Sequence, residues 1–474
     1  MEISYLSARQ LIDCYKQKAL SPVDVVDVTL ERIERLNPII NAVYAVDRSN
    51  AISAARKSEA RWLKGEPMGL FDGVPTTIKD ALPAVGLPAF RGSAANDVAF
   101  SKEDHPSVAR LREAGAIILG RNTMCDYGII ASGVSSKHGV TRNPWNIEKN
   151  TGASSSGAAA TIAAGINPIS IGTDIVGSIR LPASYCGLVG HKPSRGRVPY
   201  YFPNHPAITA GPMARNVRDA AMFLDVLSLP DQRDFTALNE GPQHFLTNLD
   251  LFDPSAKKAV LLLDLGFGIT PSNETQATVR KAARQLEAVG LKFETTITSA
   301  PFSSDADTAA HLHYKVRCFN EFKAVDTDKQ NLSPIIQDWT QNAQSISADQ
   351  FYTASMKMLS LQEEVFKLMG NADFLLLPST PIPAHNAEEA TPDPSDLFAP
   401  WCNNFLFNLT GQPAISINCG FTQSGLPIGL QIVGRSNNDL GVLQLARLYE
   451  RISDTQPDWT VVEDYLSVTS RANS

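Results

Sequence analysis

The sequence predicts an α/β fold in which a sheet carries helices on both faces. Short apolar β-type runs alternate with helical patterns between residues 73 and 172, and the same alternation resumes from residue 258. A pair of apolar runs bounded by Gly and Pro follows near the C-terminus. The first 65 residues read as helices. Ser7 caps one that runs to about residue 18, with Leu11 and Tyr15 on one face. Ser21-Pro22 opens a second: serine is a favoured N-cap, proline is tolerated at the first helical position, and Asp24 suits the positive end. Val26, Leu30 and Ile33 form its apolar stripe, and residues 51–63 make a third helix. Residues 73–80 (GVPTTIKD) are a β-type run ending in lysine. Residues 107–114 read as helix, and residues 116–120 and 168–172 as buried strands. Residues 258–265 form another strand, followed by a helix to Glu287 and a strand at 291–295. Residues 309–369 are mainly helical, and 374–378 return to strand. Residues 381–400 are a proline-rich loop, 414–419 and 429–433 are neighbouring strands, and a helix at 440–452 closes the fold. Candidate domain boundaries fall at 228–254 and 381–400, but one large domain with a helical accessory portion fits the pattern as well as two.

The 474 residues, 43% hydrophobic and 19% charged, can bury a substantial core. A net charge of −7 gives a nucleic-acid partner no electrostatic support. Cys14, Cys125, Cys186, Cys318, Cys402 and Cys419 form no C-x-x-C pair, which excludes a zinc ribbon or thioredoxin-like motif and leaves them as small apolar residues. MEISYLSARQLIDCYKQ lacks a basic region followed by an apolar run, and no stretch reaches the roughly 18 apolar residues of a membrane span. The expected location is cytoplasmic, with no membrane partner.

The stretch KNTGASSSGAAA, residues 149–160, is unusual in setting three serines among glycine and alanine. Gly152 and Gly157 have the spacing of a phosphate loop, but Ala158 and Ala159 stand where lysine and a hydroxyl would be needed. A linker is excluded by the ordered apolar sequence that follows. Residues 154–157 can cap a helix beginning near Ala158. Twenty-four residues beyond Ser154, GTDIVGSIRLPASYCG presents Ser178 at a bend after a strand. Neither cluster reads G-x-S-x-G, so a Ser-His-Asp triad has no motif support. A lysine can instead activate a serine if burial lowers its pKa, because an ordinary lysine is neutral in only about 0.04% of molecules at pH 7. Lys79, at the end of GVPTTI, is the candidate; a surface lysine paired with Asp80 is the local alternative.

Taken together, GVPTTIKD, NPWNIEKNTGASSSGAAA and GTDIVGSIRLPASYCGLVGHKPSRGRVP resemble the amidase signature family of serine amide hydrolases. LTGQPAISINCGF and GLPIGLQIVG resemble its C-terminal segments, so the resemblance spans nearly the whole chain. It implies an α/β amidase signature fold, a large mixed twisted sheet covered by helices on both faces. It also implies a single domain over 1–474, with N-terminal helices (1–65), core motifs (66–230), a helical accessory segment (about 305–370) and a C-terminal core (371–474). By motif position, Lys79 is the base, Ser154 the bridging serine with a cis peptide, and Ser178 the nucleophile. The backbone N–H groups of Ile175, Val176, Gly177 and Ser178 would receive the oxyanion, and Ser155, Asp174 and Arg180 would support the site. Ala153, Ser156 and Val176 replace glycines of the family pattern; a β-branched residue tolerates positive φ poorly, so Val176 implies either an ordinary φ or a narrowed pocket.

The implied reaction is hydrolysis of a small amide through an acyl-enzyme, without metal or cofactor. Tyr127, Trp401, Cys402 and Phe405 are pocket candidates, with an apolar or aromatic acyl group preferred. The expected partner is a small-molecule amide, with a homodimer left open. Hydrazide, carbamate or urea-like bonds are alternative substrates. A competing reading is the glutaminase subunit of a tRNA-dependent amidotransferase, although residues 309–369 lack the tyrosine- and arginine-rich stretch expected there. Another is a catalytically inactive binding protein, which the intact Lys79, Ser154 and Ser178 set opposes.

Overall fold

A computed structural model describes residues 3–201, 205–298, 301–302, 304–323 and 331–472. Its centre is one eleven-stranded mixed sheet. In chain order the strands are β1 (Val43–Val46), β2 (Pro75–Lys79), β3 (Ile117–Asn122), β4 (Ile169–Asp174), β5 (Val189–Lys192) and β6 (Thr209–Ala214). They continue as β7 (Lys258–Leu262), β8 (Lys292–Ile297), β9 (Phe374–Pro378), β10 (Ala414–Phe421) and β11 (Pro427–Gly434). Across the sheet the order is β1-β3-β2-β4-β6-β5-β10-β11-β9-β7-β8. β2 lies parallel between β3 and β4, and β7 parallel between β8 and β9; the other pairings are antiparallel. The two halves join where β5 pairs with β10, Gly190 opposite Ser416.

Alternation along the strands sorts the core into two layers. Ala259, Leu261, Phe374 and Leu376 pack with Phe223, Val279 and Leu443 from the helices Val217–Leu227, Asn273–Ala288 and Asp439–Ile452. The intervening Val260, Leu262, Leu375 and Leu377 pack with Ala310, Tyr314 and Leu361 from the helices Ser304–Lys323 and Ala348–Met369. Helices therefore cover both faces, as the alternation of patterns predicts.

At the N-terminus the predicted caps are present. Ser7 caps Ala8–Lys16 in a reciprocal pair with Gln10, and Ser21 caps Pro22–Ile40 with Asp24 reaching back. The helix Asp439–Ile452 does not close the fold. Trp459–Ala472 follows it and buries Val462 and Leu466 beside Val26 and Leu30, with Glu463 paired to Arg32. Strands β5 and β6 are also unannounced in the sequence: β6 reads TAGPMA, and glycine and proline argue against a central strand. Register to β4 nevertheless runs unbroken through it, with Ile171 opposite Pro212. Residues 324–330 of the expected helical segment lie outside the described residues. All six cysteines are free. Among the described residues, no helix is long and apolar enough to cross a membrane.

Candidate active site

Parallel neighbours deliver their C-terminal ends to the same edge of a sheet, where open α/β sheets place their clefts. β2 and β4 are such neighbours, with Ile78 level with Ile171. Lys79 thus ends its strand beside Thr173 and Asp174. The Lys79 side chain is fully buried, and its Nζ lies 2.9 Å from each of Ser154 Oγ, Ser155 Oγ and Thr173 Oγ1. Asp80 does not pair with it, so the surface-lysine alternative fails. Its carboxylate accepts instead from Tyr44 Oη (2.6 Å) and from the N–H groups of Phe90 (2.9 Å) and Gly92 (2.7 Å). Burial brings Lys79 down to about 7, against the opposing pull of Cys125, Asp174 and Asp80. Lys192 is lowered to about 7 in the same way, but its Nζ donates to Pro193 O at 2.8 Å and meets no serine.

Ser154 follows a cis Ala153–Ser154 peptide. Ser155 occupies the N-cap of the helix Ser156–Ala163, yet its hydroxyl makes no cap bond. That hydroxyl faces Lys79 and accepts from Thr173 N–H at 3.4 Å, so the expectation of simple helix capping is corrected. Ala153 is fully buried, and its carbonyl accepts from Trp401 Nε1 at 3.1 Å. Ser156 is also buried, with its hydroxyl 3.5 Å from Thr123 O. Gly128, which no sequence motif singles out, approaches Ser154 closely: a Cβ there would lie 3.1 Å from Ser154 Oγ.

Ser178 stands on the turn between β4 and the helix Arg180–Tyr185. Gly177 takes φ +129°, and a Cβ would fall 2.6 Å from Asn404 Cβ, so glycine is required by both conformation and space. Asp174 and Arg180 fasten the turn. Their side chains are fully buried and doubly bonded, Nη2 to Oδ1 at 2.9 Å and Nε to Oδ2 at 3.1 Å. Arg180 also donates to Asn404 O and Gln431 Oε1. Burial alone would raise the Asp174 pKa, but Arg180 and the Ile179 N–H overcome it and hold the group at about 2.

One of the four N–H groups expected to receive the oxyanion is engaged within the turn. Gly177 N–H donates to Asp174 Oδ1 at 2.7 Å, whereas those of Ile175, Val176 and Ser178 have no partner among the described residues. Val176 keeps an ordinary negative φ, which resolves the question its β-branch raised. No hydrogen bond joins Ser154 Oγ to Ser178 Oγ, but both serines open on one cavity.

The cavity has a volume of about 1150 Å³, and aromatic side chains including Phe90, Tyr127, Tyr200 and Phe351 form much of its wall. Tyr127, a pocket candidate from sequence, is on this wall. Trp401 and Cys402 do not line this cavity: both are fully buried behind the serine loop, Trp401 against Ala153 and Gly177 and Cys402 against Gly268. Phe405 instead lines a side pocket of about 30 Å³ beside Ile175 and Val176. Residues missed from sequence are Thr173, which sits inside the quoted GTD motif, and His313, Val316, Arg317 and Asn320. The last four share one face of Ser304–Lys323 at helical spacing, a pattern indistinguishable in sequence from a solvated helix face.

Residues 24–443 match the family model described as Amidase. A glutamyl-tRNA(Gln) amidotransferase subunit from Symbiobacterium thermophilum is 32% identical, over 94% of this chain and 97% of its own. Among solved structures, a bacterial aryl acylamidase of the amidase signature enzymes superposes with a TM-score of 0.88 at 28% identity, covering 97% of this chain and 98% of its own. The corresponding amidotransferase subunit from Thermotoga maritima gives 0.77 at 25%, covering 96% of each.

Proposed function

The chain belongs to the amidase family, and on that premise we propose that it hydrolyses a carboxylic amide through an acyl-enzyme on Ser178, with Lys79 as base and Ser154 as relay. One observation carries the reading: a fully buried lysine with no carboxylate partner meets three hydroxyls at 2.9 Å, and one of those belongs to a serine that shares a cavity with Ser178. A neutral amine has two N–H donors and one lone pair. With three hydroxyl neighbours, one hydroxyl must donate to Nζ. If Ser154 does so, its oxygen is left to accept from Ser178.

The steps then balance. Ser178 Oγ attacks the carbonyl carbon while its proton passes to Ser154 and the Ser154 proton to Lys79. Negative charge on the carbonyl oxygen is met by the N–H groups of Ile175, Val176 and Ser178, aligned by the Asp174–Arg180 pair before substrate arrives. Protonated Lys79 returns its proton through Ser154 to the departing nitrogen, and the amine leaves. Water, deprotonated by the same relay, hydrolyses the ester. Ser155 and Thr173 orient Nζ and stay unreacted.

For the substrate, the wide aromatic cavity favours an aryl or bulky apolar amide, in line with similarity to an aryl acylamidase. The sequence relatives favour a second reading, since they are named as a subunit of glutamyl-tRNA(Gln) amidotransferase. On that reading glutamine is the amide donor and the chain works with partner chains. Ammonia and amine release by the purified chain separates the two. Turnover of aryl acylamides without partners supports the first. Glutamine turnover alone, rising when the other amidotransferase chains are added, supports the second. Absence of acyl-enzyme with every amide would overturn both.

A further inference from the structure

The wall of the cavity that Ser154 and Ser178 share carries two arginines that the chemistry at Ser178 does not use. Arg317 on the helix Ser304–Lys323 and Arg91 on the loop after β2 both bind the single carboxylate of Glu321. Arg317 Nη2 lies 2.6 Å from Oε1, and Arg91 Nη2 lies 2.5 Å from Oε2. Arg317 is only 12% exposed. Each guanidinium also rests against a ring face, Arg317 at 5.5 Å from Tyr314 and Arg91 at 5.3 Å from Tyr127. The rings hold the planes but offer no acceptor to the N–H groups. The remaining side-chain N–H groups of both arginines have no hydrogen-bond partner among the described residues.

Among the described residues, nothing on the cavity wall completes the neutralisation. Asp80 lines the same cavity, but its oxygens are taken by Tyr44, Phe90 and Gly92, and Asp97 is exposed to water. His205 and His313, also on the wall, are kept neutral by burial and by the charge of Arg317. The His205 Nδ1 accepts from Ala207 N–H at 3.1 Å, so its neutral ring bears the proton on Nε2 and adds a donor to this wall. A half-buried pair of guanidiniums sharing one carboxylate is suited to a second one, because Arg binds planar carboxylates with paired N–H groups.

We propose that Arg317 and Arg91 form a carboxylate-binding subsite, so that the preferred substrate is an aryl or alkyl amide carrying a carboxylate remote from the scissile bond. The word substrate rests on the amidase reading; the binding itself does not. Glu321 is the internal competitor for that carboxylate and sets how much affinity is left for it.

Calorimetric titration with 4-phenylbutyrate and its neutral counterpart 4-phenylbutyramide tests the subsite, alongside kcat/KM for ω-carboxyacyl anilides and their uncharged carboxamide analogues. The carboxylate should bind about tenfold tighter or more in the wild-type protein. Arg317→Met and, separately, Arg91→Met should shrink that preference, and Glu321→Gln should enlarge it by releasing both guanidiniums. Equal binding of the two ligands to the wild-type protein, or a preference that survives both arginine substitutions, would overturn the proposal. Turnover of amides without any preference for the anionic series removes the subsite and leaves the amidase. Tight carboxylate binding without turnover of any amide does the reverse.

Discussion

Replacing Lys79 by methionine should change how stability depends on pH, in a direction fixed by burial. The Lys79 ammonium has an ordinary value of 10.5 and lies at about 7 in the folded chain. Between about pH 7 and 10.5 the unfolded chain therefore holds a proton that the folded chain lacks, and wild-type stability rises with pH. The slope is about 1.4 kcal/mol per pH unit, and the whole window amounts to about 5 kcal/mol. Below about pH 7 both states are protonated and the slope vanishes. Methionine has no such linkage, but it gives up three contacts to Ser154, Ser155 and Thr173, each worth about 1 kcal/mol. Near pH 8 these effects nearly cancel, so the absolute difference is uninformative while its slope is not. Urea unfolding of the wild-type and Lys79→Met proteins at intervals from pH 6.5 to 9.5 reads it. Lys192 contributes equally to both and drops out. The wild type should gain on the variant by about 1.4 kcal/mol for each unit above pH 7. Parallel curves would show that Lys79 titrates as an ordinary lysine, and the base assigned to the reaction would be lost.

Further expectations concern the site's chemistry and its supports. The rate constant kcat/KM for an amide should rise with pH through about 7, because only neutral Lys79 accepts the proton; a flat profile between pH 5.5 and 8.5 refutes this. Lys79→Ala should slow amide turnover far more than ester turnover, since an amine leaves poorly without a proton, and equal losses would count against the relay. Asp174→Asn leaves Arg180 buried without its counter-charge and should cost about 3–5 kcal/mol in urea unfolding. Gly177→Ala forces a Cβ into Asn404 at φ +129° and should reduce kcat by roughly 10²–10³ by misaligning the oxyanion donors, with an unchanged kcat removing the turn from the mechanism.

Local signals in the sequence reach as far as local physics does. Caps at Ser7 and Ser21, the apolar runs of β2, β4, β7 and β9, and the β10–β11 pair all follow from patterns within a dozen residues. Strand β6 does not, because Gly211 and Pro212 oppose a strand locally and only its neighbours β4 and β5 impose one. The three positions proposed for the relay are marked by motif, while Lys79 alone looks like a surface residue beside Asp80. Its burial depends on strands and loops more than 70 residues away, which no local pattern records. The motif names four backbone N–H groups on the turn, but not the bond from Gly177 N–H to Asp174, which is a matter of geometry. Trp401 and Cys402 are natural candidates for the cavity because large apolar residues line pockets, yet the same property buries them behind the serine loop. The arginines of the cavity wall come from a loop and from a helix face that in sequence resembles any solvated one.

Whether Ser178 carries the acyl group is read by intact-protein mass spectrometry after an aryl fluorophosphonate or a slow acyl donor. One adduct per chain is expected, mapping to Ser178 after proteolysis, absent from Ser178→Ala and strongly slowed in Lys79→Ala. An adduct on Ser154, Ser155 or any other residue, or labelling that persists in Ser178→Ala, would contradict the account.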